Sequence, residues 1–168
     1  MTCVKFRPWA ADTGAMLRAG LVSLAAAAAL ALAGGASAAR TPTPAQYRAQ
    51  ATAICTTFAS RIKALGDPLR ATKRKETQLE LEAYALQTQQ YAALRALKTP
   101  ASLKEARNAL WYTYWVLGVE AKMAALLKNG TPLHSKATGV LVFKNLRNVT
   151  GADLAWKAAG IKACAGQD

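Results

Sequence analysis

The sequence predicts an all-α protein, an antiparallel four-helix up-down-up-down bundle carried behind an export leader. Helix formers dominate, alanine above all, and no run alternates at the strand period. Four dipeptides, Thr43-Pro44, Asp67-Pro68, Thr99-Pro100 and Thr131-Pro132, punctuate the chain at helical intervals. Each joins a good N-cap to a proline suited to the first helical position, where the missing N–H would have no partner anyway. Apolar residues recur three or four apart between these marks. Four starts with short connections make each helix an antiparallel neighbour of the next.

The leader occupies residues 1–38. Lys5, Arg7 and Arg18 precede an apolar run from Leu21 to Ala33, Gly34-Gly35 breaks that run, and Ala36-Ser37-Ala38 supplies small residues where a signal peptidase reads. Met16 is a more ordinary start for such a leader than Met1. The alternative is an uncleaved anchor, since the 21 residues from Ala19 to Ala39 are long enough to span a bilayer. In both cases the positive leader stays inside and residues 39–168, a single helical domain, lie outside. The predicted location is therefore secreted or extracytoplasmic, or membrane-anchored with the domain outside. Of the net charge of +13, cleavage leaves +11, which favours an acidic partner or surface.

The elements follow in order. Tyr47, Ala51, Ile54, Phe58, Ile62 and Leu65 make one stripe of the first helix, and Thr43 with Gln46 fits a capping box. Leu79, Ala83, Leu86, Leu94 and Leu97 mark the second helix. The third begins near Ser102, which pairs with Glu105 as a second capping box. Its inward stripe is Leu103, Ala106, Leu110, Leu117, Ala121 and Ala124. A further stripe through Trp111, Trp115, Val119 and Leu126 makes this helix apolar on most faces and predicts that it is central. The fourth is the least regular, with Gly139 and Gly151 inside it, and a break at Gly151 is expected. Gly66 and Gly130 stand where helix C-termini favour a left-handed residue.

The segments Ala53-Ile54-Cys55, Leu94-x-x-Leu97-x-x-Pro100 and Gly160-Ile161-x-x-Cys164 resemble those of small secreted helical proteins of high-GC actinobacteria, a group without known function. The resemblance spans most of the chain after the leader. It implies a helical bundle with a paired cysteine, and it implies no catalytic residue.

The chemistry-bearing residues are few. Cys3 falls in the leader, so Cys55 and Cys164 form an even pair in an oxidising compartment and a disulfide is expected. The absence of Cys-x-x-Cys removes support for thioredoxin-like or zinc-ribbon chemistry, and the absence of Cys-x-x-Cys-His excludes a c-type haem. The pairing makes a geometric demand. With Leu65 level with Pro132, Cys55 lies about 15 Å down the bundle and Cys164 about 48 Å down an unbroken fourth helix. Either the first helix slides toward the far end, or the chain turns back at Gly151.

His134 is the only histidine, and without an evident partner it reads as a surface residue. Glu76 and Glu80 stand four apart, the spacing of ordinary surface ion pairs. Glu120 lies inside the apolar third helix and is a candidate buried acid. Together with Trp111, Tyr114 and Trp115 it suggests a ligand pocket with aromatic walls. Arg70, Lys73, Arg74 and Lys75 form the densest charge run. Its cations oppose the macrodipole at a helix start, which implies either a later start, between Thr72 and Glu76, or an anion-binding patch.

No nucleophile–base–acid set is present, so the expectation is a non-enzymatic exported module without metal or cofactor. Its expected partner is an anionic cell-wall polymer or an acidic protein. Export and the lack of aromatics within the basic run argue against nucleic acid. The alternative is a carrier that holds a small apolar ligand in the aromatic pocket.

Overall fold

The computed structural model describes residues 41–66 and 72–166, with the backbone alone for Lys73 and Arg74. The leader with its Ala36-Ser37-Ala38 site, the Asp67-Pro68 pair and Arg70 lie outside the described residues. Four helices follow in order: α1 Pro44–Leu65, α2 Lys73–Ala96, α3 Lys104–Lys128 and α4 Lys136–Ala158. A 3-10 turn at Lys162–Cys164 ends the chain's ordered elements. The described residues contain no strand. Each helix packs on the next, giving the four-helix bundle that the punctuation predicts.

The first start forms as expected. Gln46 N donates to Thr43 Oγ1 at 3.3 Å, and Thr43 N donates to Gln46 Oε1 at 2.9 Å. The other starts move downstream of their prolines. α2 begins at Lys73, with Thr72 at the cap. α3 begins at Lys104 with Leu103 at the cap, so the Ser102–Glu105 capping box is not made. Pro100 instead shapes the preceding turn, where Leu103 N donates to its carbonyl at 3.0 Å. α4 is capped by Ser135, whose hydroxyl accepts from Thr138 N at 3.3 Å. The fully buried Thr138 donates its own hydroxyl to the Leu133 and Ser135 carbonyls. At α4 the Ser135 and Thr138 hydroxyls meet the first-turn groups, so that helix starts at them and not at the proline upstream.

The core gathers at one end. Tyr47, Ala51 and Cys55 of α1 meet Leu94 of α2, Ala106 and Ala109 of α3, and Trp156 of α4. Ile161 and Ala165 of the tail complete it. The backbone of α1 comes close to α2 and to the 3-10 turn but not to α4, so the tail fills the gap between the first and last helices. Arg48 Nε donates to the Ala159 carbonyl at 2.8 Å, which fixes the register. From that level α1 rises about 26 Å to Leu65, whereas α4 rises about 35 Å to Lys136. The first helix has therefore slid toward the core end.

The turn-back occurs at Gly160 rather than Gly151. Gly160 takes φ +76°, which only glycine adopts without strain, and Ile161 N closes the turn on the Trp156 carbonyl at 3.0 Å. Four residues after Gly160 the chain has climbed back along α1, and Cys55 is joined to Cys164 with 5.0 Å between their Cα atoms. Slide and turn together satisfy the demand that the pairing makes.

The expected break at Gly151 is absent, and α4 runs unbroken through Gly139 and Gly151. Gly151 has a packing reason instead. The Tyr112 ring of α3 lies so close that a Cβ there would meet Tyr112 Cε1 at 2.6 Å. A Cβ at Gly139 would meet nothing within 4 Å.

Two predictions follow from this packing. Gly139→Ala is expected to stabilise the chain by up to about 1 kcal/mol, the intrinsic helical preference of alanine over glycine. Gly151→Ala is expected to lose that gain or turn it into a cost, and to recover it when combined with Tyr112→Ala. Urea unfolding of the four chains checks this as a double-mutant cycle. Reduction of the disulfide, or Cys164→Ser, is expected to cost roughly 2–5 kcal/mol, because the bond closes a very long loop. Thermal melts with and without reductant read that cost.

Candidate functional site

α3 turns small residues inward. Its buried positions are Ala106, Ala109, Leu117, Ala124 and Leu127. Alanines at the contact leave the interior beside them to the rings of Tyr47 from α1 and Trp156 from α4. The aromatics therefore stand on the other faces. Trp111 is 55% exposed, with Tyr114 and Trp115 close to that value. α3 packs against both α2 and α4, and the stripe through Trp111 and Trp115 forms an exposed apolar outer face on it.

These rings form one continuous band. Tyr91 of α2 meets Tyr114 at 6.5 Å between centroids. Tyr114 meets Trp115 edge-on at 5.6 Å, and Trp115 meets Trp111 at 6.0 Å. Trp111 meets Tyr112 at 5.0 Å. Tyr112 in turn packs on Gly151, so the band crosses from α2 over α3 to α4. Edge-to-face contacts of this kind hold exposed rings in fixed orientations.

Beside the band, α2 and α3 leave an open groove of about 450 Å³. Tyr91, Trp111 and Tyr114 supply its rings, Leu97 and Leu110 its floor, and Arg95 and Lys98 its charge. The Arg95 guanidinium lies 5.8 Å from the Tyr91 ring, within cation–π range, so it is held at the groove edge. The four residues expected to line one pocket therefore separate. Trp111 and Tyr114 line the groove, Trp115 lies beside them on the outer face, and Glu120 turns away.

Glu120 belongs to an acidic cluster at the opposite end of the bundle from the core. The spacing of Glu76 and Glu80 suggested surface pairs, but Glu76 is buried and accepts from, or pairs with, His134 Nε2 at 2.7 Å. His134 thus has a carboxylate partner 58 positions away, which no local spacing reveals. Withdrawal from water raises Glu80, and the neighbouring Glu76 raises it further, while His134 opposes both. Withdrawal from water and the Glu80 charge push Glu120 up to about 7. Gln87, with its amide nitrogen turned toward Glu120, donates to that carboxylate. Among the described residues no group of three or more His, Cys, Asp or Glu is placed to hold a metal ion.

Of the basic run, Lys75 is exposed in the first turn of α2. Arg70 and the side chains of Lys73 and Arg74 lie outside the described residues. The helix starts at Lys73, within the expected range, yet Lys73, Arg74 and Lys75 still fall in its first turn, where cations oppose the macrodipole.

The acidic cluster generates a prediction of pH dependence. Glu120 and Glu80 titrate higher in the folded chain than in the unfolded one. Between about pH 4.5 and pH 7 the folded state therefore binds more protons, and stability falls as pH rises through that window. The Glu120 share is at most about 3 kcal/mol. Glu120→Gln is expected to flatten the slope and to stabilise the chain at pH 8 more than at pH 5, as urea titrations at the two pH values will read.

No known protein family, no curated protein and no solved structure matches this chain.

Proposed function

We propose that this chain is an exported, non-enzymatic binding module that holds an anionic polymer of the cell envelope. The observation that supports the reading best is the groove between α2 and α3, where Arg95 and Lys98 stand beside the half-buried Tyr91 and the exposed rings of Trp111 and Tyr114. Fixed aromatic faces offer stacking area to sugar rings or other flat, partly apolar units. Guanidinium and ammonium groups at the edge attract phosphate or carboxylate. A repeating polymer that carries both features fits an open groove, because its chain can enter and leave at the ends.

Export is supported by the leader's pattern of charge, apolar run and small residues, and by the disulfide, which persists in oxidising compartments. Among the described residues no helix is long and apolar enough to cross a membrane. The net charge adds long-range attraction to anionic material outside the cell. Lys73, Arg74 and Lys75, in the first turn of α2, add to that attraction from the other end of the helix.

Sedimentation with isolated cell walls tests the reading. Binding is expected to weaken as the Debye length shortens from about 10 Å at 0.1 M salt to about 3 Å at 1 M. Arg95→Gln with Lys98→Gln is expected to reduce it several-fold, and Trp111→Ala to reduce it at both salt concentrations. Equal binding by parent and variants, or binding indifferent to salt, overturns the reading. The basic run is tested in the same assay by changing Arg70, Lys73, Arg74 and Lys75 together to Gln.

A further inference from the structure

The eight large hydrophobic residues that stand most exposed among the described residues all lie on α3 or α4. They are Trp111, Tyr114 and Trp115 on α3, and Val140, Val142, Phe143, Val149 and Leu154 on α4. Neither α1 nor α2 has one. Phe143 is 75% exposed and Leu154 is 61% exposed; single apolar residues at a surface are ordinary, and it is their grouping on one face that carries meaning.

Position on the helices sets their direction. On α4 the buried residues are Thr138, Asn145 and Trp156. Val140, Phe143, Arg147 and Leu154 recur three, four and seven apart on the opposite face. On α3, Trp111, Trp115 and Lys122 stand opposite the buried stripe in the same way. Two contacts between the helices fix their register. The Tyr112 ring packs on Gly151, and Asn145 Nδ2 donates to the Val116 carbonyl at 3.4 Å. Trp115 is thereby level with Arg147, and Phe143 with Val119. Both outer ridges point away from the core, so they form one surface.

That surface is also basic. Lys104, Arg107, Lys122 and Lys128 lie on α3, and Lys136, Lys144, Arg147 and Lys157 on α4. The acids on these helices are Glu105, Glu120 and Asp153. Glu120 turns toward the acidic cluster, and Asp153 pairs with Lys157 at 3.0 Å. Between Lys136 and Ala152 α4 has no acid at all.

We propose that the outer face of α3 and α4 docks on an anionic lipid membrane. The occupant follows from the combination. Phe143, Leu154 and Val140 protrude as apolar side chains that acyl chains can cover, and the tryptophan rings suit the boundary between headgroup and hydrocarbon. Lys144, Arg147 and Lys122 stand among them at the height of the headgroups, where each cation gains from anionic lipid. A second copy of this chain is a poor occupant, because two such faces would bring cation against cation. A wall polymer answers the cations but leaves Phe143 and Leu154 in water. The inference shares Trp111 and Tyr114 with the groove reading, but Arg95 and Lys98 take no part in it, and changes at those two cations separate the two readings.

Co-sedimentation of the exported form of the chain with vesicles tests it. Vesicles of phosphatidylglycerol and phosphatidylcholine are compared with vesicles of phosphatidylcholine alone. The chain is expected to bind the first, with a blue shift of its tryptophan emission, and to bind the second far less. Phe143→Ser with Leu154→Ser is expected to weaken binding at least about tenfold. Both residues are exposed, so helix content measured by circular dichroism should match the parent. Lys144→Gln with Arg147→Gln is expected to weaken binding and reduce its salt dependence, whereas Arg95→Gln with Lys98→Gln should leave vesicle binding unchanged.

Three results overturn the proposal. The first is no binding to anionic vesicles. The second is binding that the Phe143 and Leu154 changes do not alter, which would make it charge alone. The third is a dimer by sedimentation equilibrium that the same changes dissolve, which would assign the face to a second copy.

Discussion

The fold depends on how the chain closes between its first and last helices. The α1 backbone does not come close to α4, and the tail after Gly160 fills the space between them. Ile161 is fully buried there, Cys164 reaches Cys55, and Arg48 holds the end of α4 through the Ala159 carbonyl. The disulfide acts on the unfolded chain by closing a long loop. The buried apolar residues act on the folded one, and the two effects meet at one end of the molecule. The far end is held without the disulfide: Leu79, Ala124 and Leu127 are buried there, and the Glu76–His134 pair and the Thr138 hydroxyl add polar contacts. Contacts of that kind contribute about 1 kcal/mol each after exchange with water. Local opening should accordingly begin at the end where α2 starts and α3 finishes.

The parts of this fold that were legible in the sequence are those set by local rules. The period of apolar residues identified the helices, the Thr43–Gln46 box formed where read, and Gly66 and Gly130 adopt positive φ as helix ends require. Cysteine count in an oxidising compartment indicated the pair, and helix rise showed that the pair needed a slide or a reversal. The place of reversal was misread because two kinds of glycine look alike in a sequence. Gly151 serves a ring from a neighbouring helix, a contact between positions far apart, whereas Gly160 serves the backbone turn. The helix starts after Thr99-Pro100 and Thr131-Pro132 were misread because Pro100 shapes a turn before α3, which is capped at the buried Leu103, and because Ser135 caps α4 in place of Thr131. The candidate site was legible only in part. Four aromatics within five residues announced a feature, but Tyr91, Arg95 and Lys98 join it from another helix. His134 and Glu76 likewise meet across the fold.

The aromatic band and the alanine-rich core have one origin. Ala106 and Ala109 leave the interior at the core end to Tyr47 and Trp156 of the neighbouring helices, so the rings of α3 itself stand outward. An enclosed carrier pocket would need the reverse order, with rings or space at positions such as Ala106 and Ala109. The same sorting explains why an open groove, and not a cavity, lies beside Trp111 and Tyr114. Recognition on this surface has to proceed by stacking and charge at an edge, with part of the occupant left in water.

Acid burial and basic surface are likewise two sides of one distribution. The chain has few acids, and three of them, Glu76, Glu80 and Glu120, converge between helices instead of neutralising the cations outside. This arrangement has a cost, since neighbouring carboxylates withdrawn from water resist ionisation. It also has a consequence for the surface. With those acids turned inward, the outer face of α3 and α4 is more positive than the residue count alone implies. That charge sets the conditions under which Phe143 and Leu154 can stand in water. Like charge keeps apolar faces of separate copies apart, while leaving them open to an anionic surface. An exposed apolar ridge on a neutral bundle would associate with itself; on this one, repulsion between copies selects against self-association and for an oppositely charged partner.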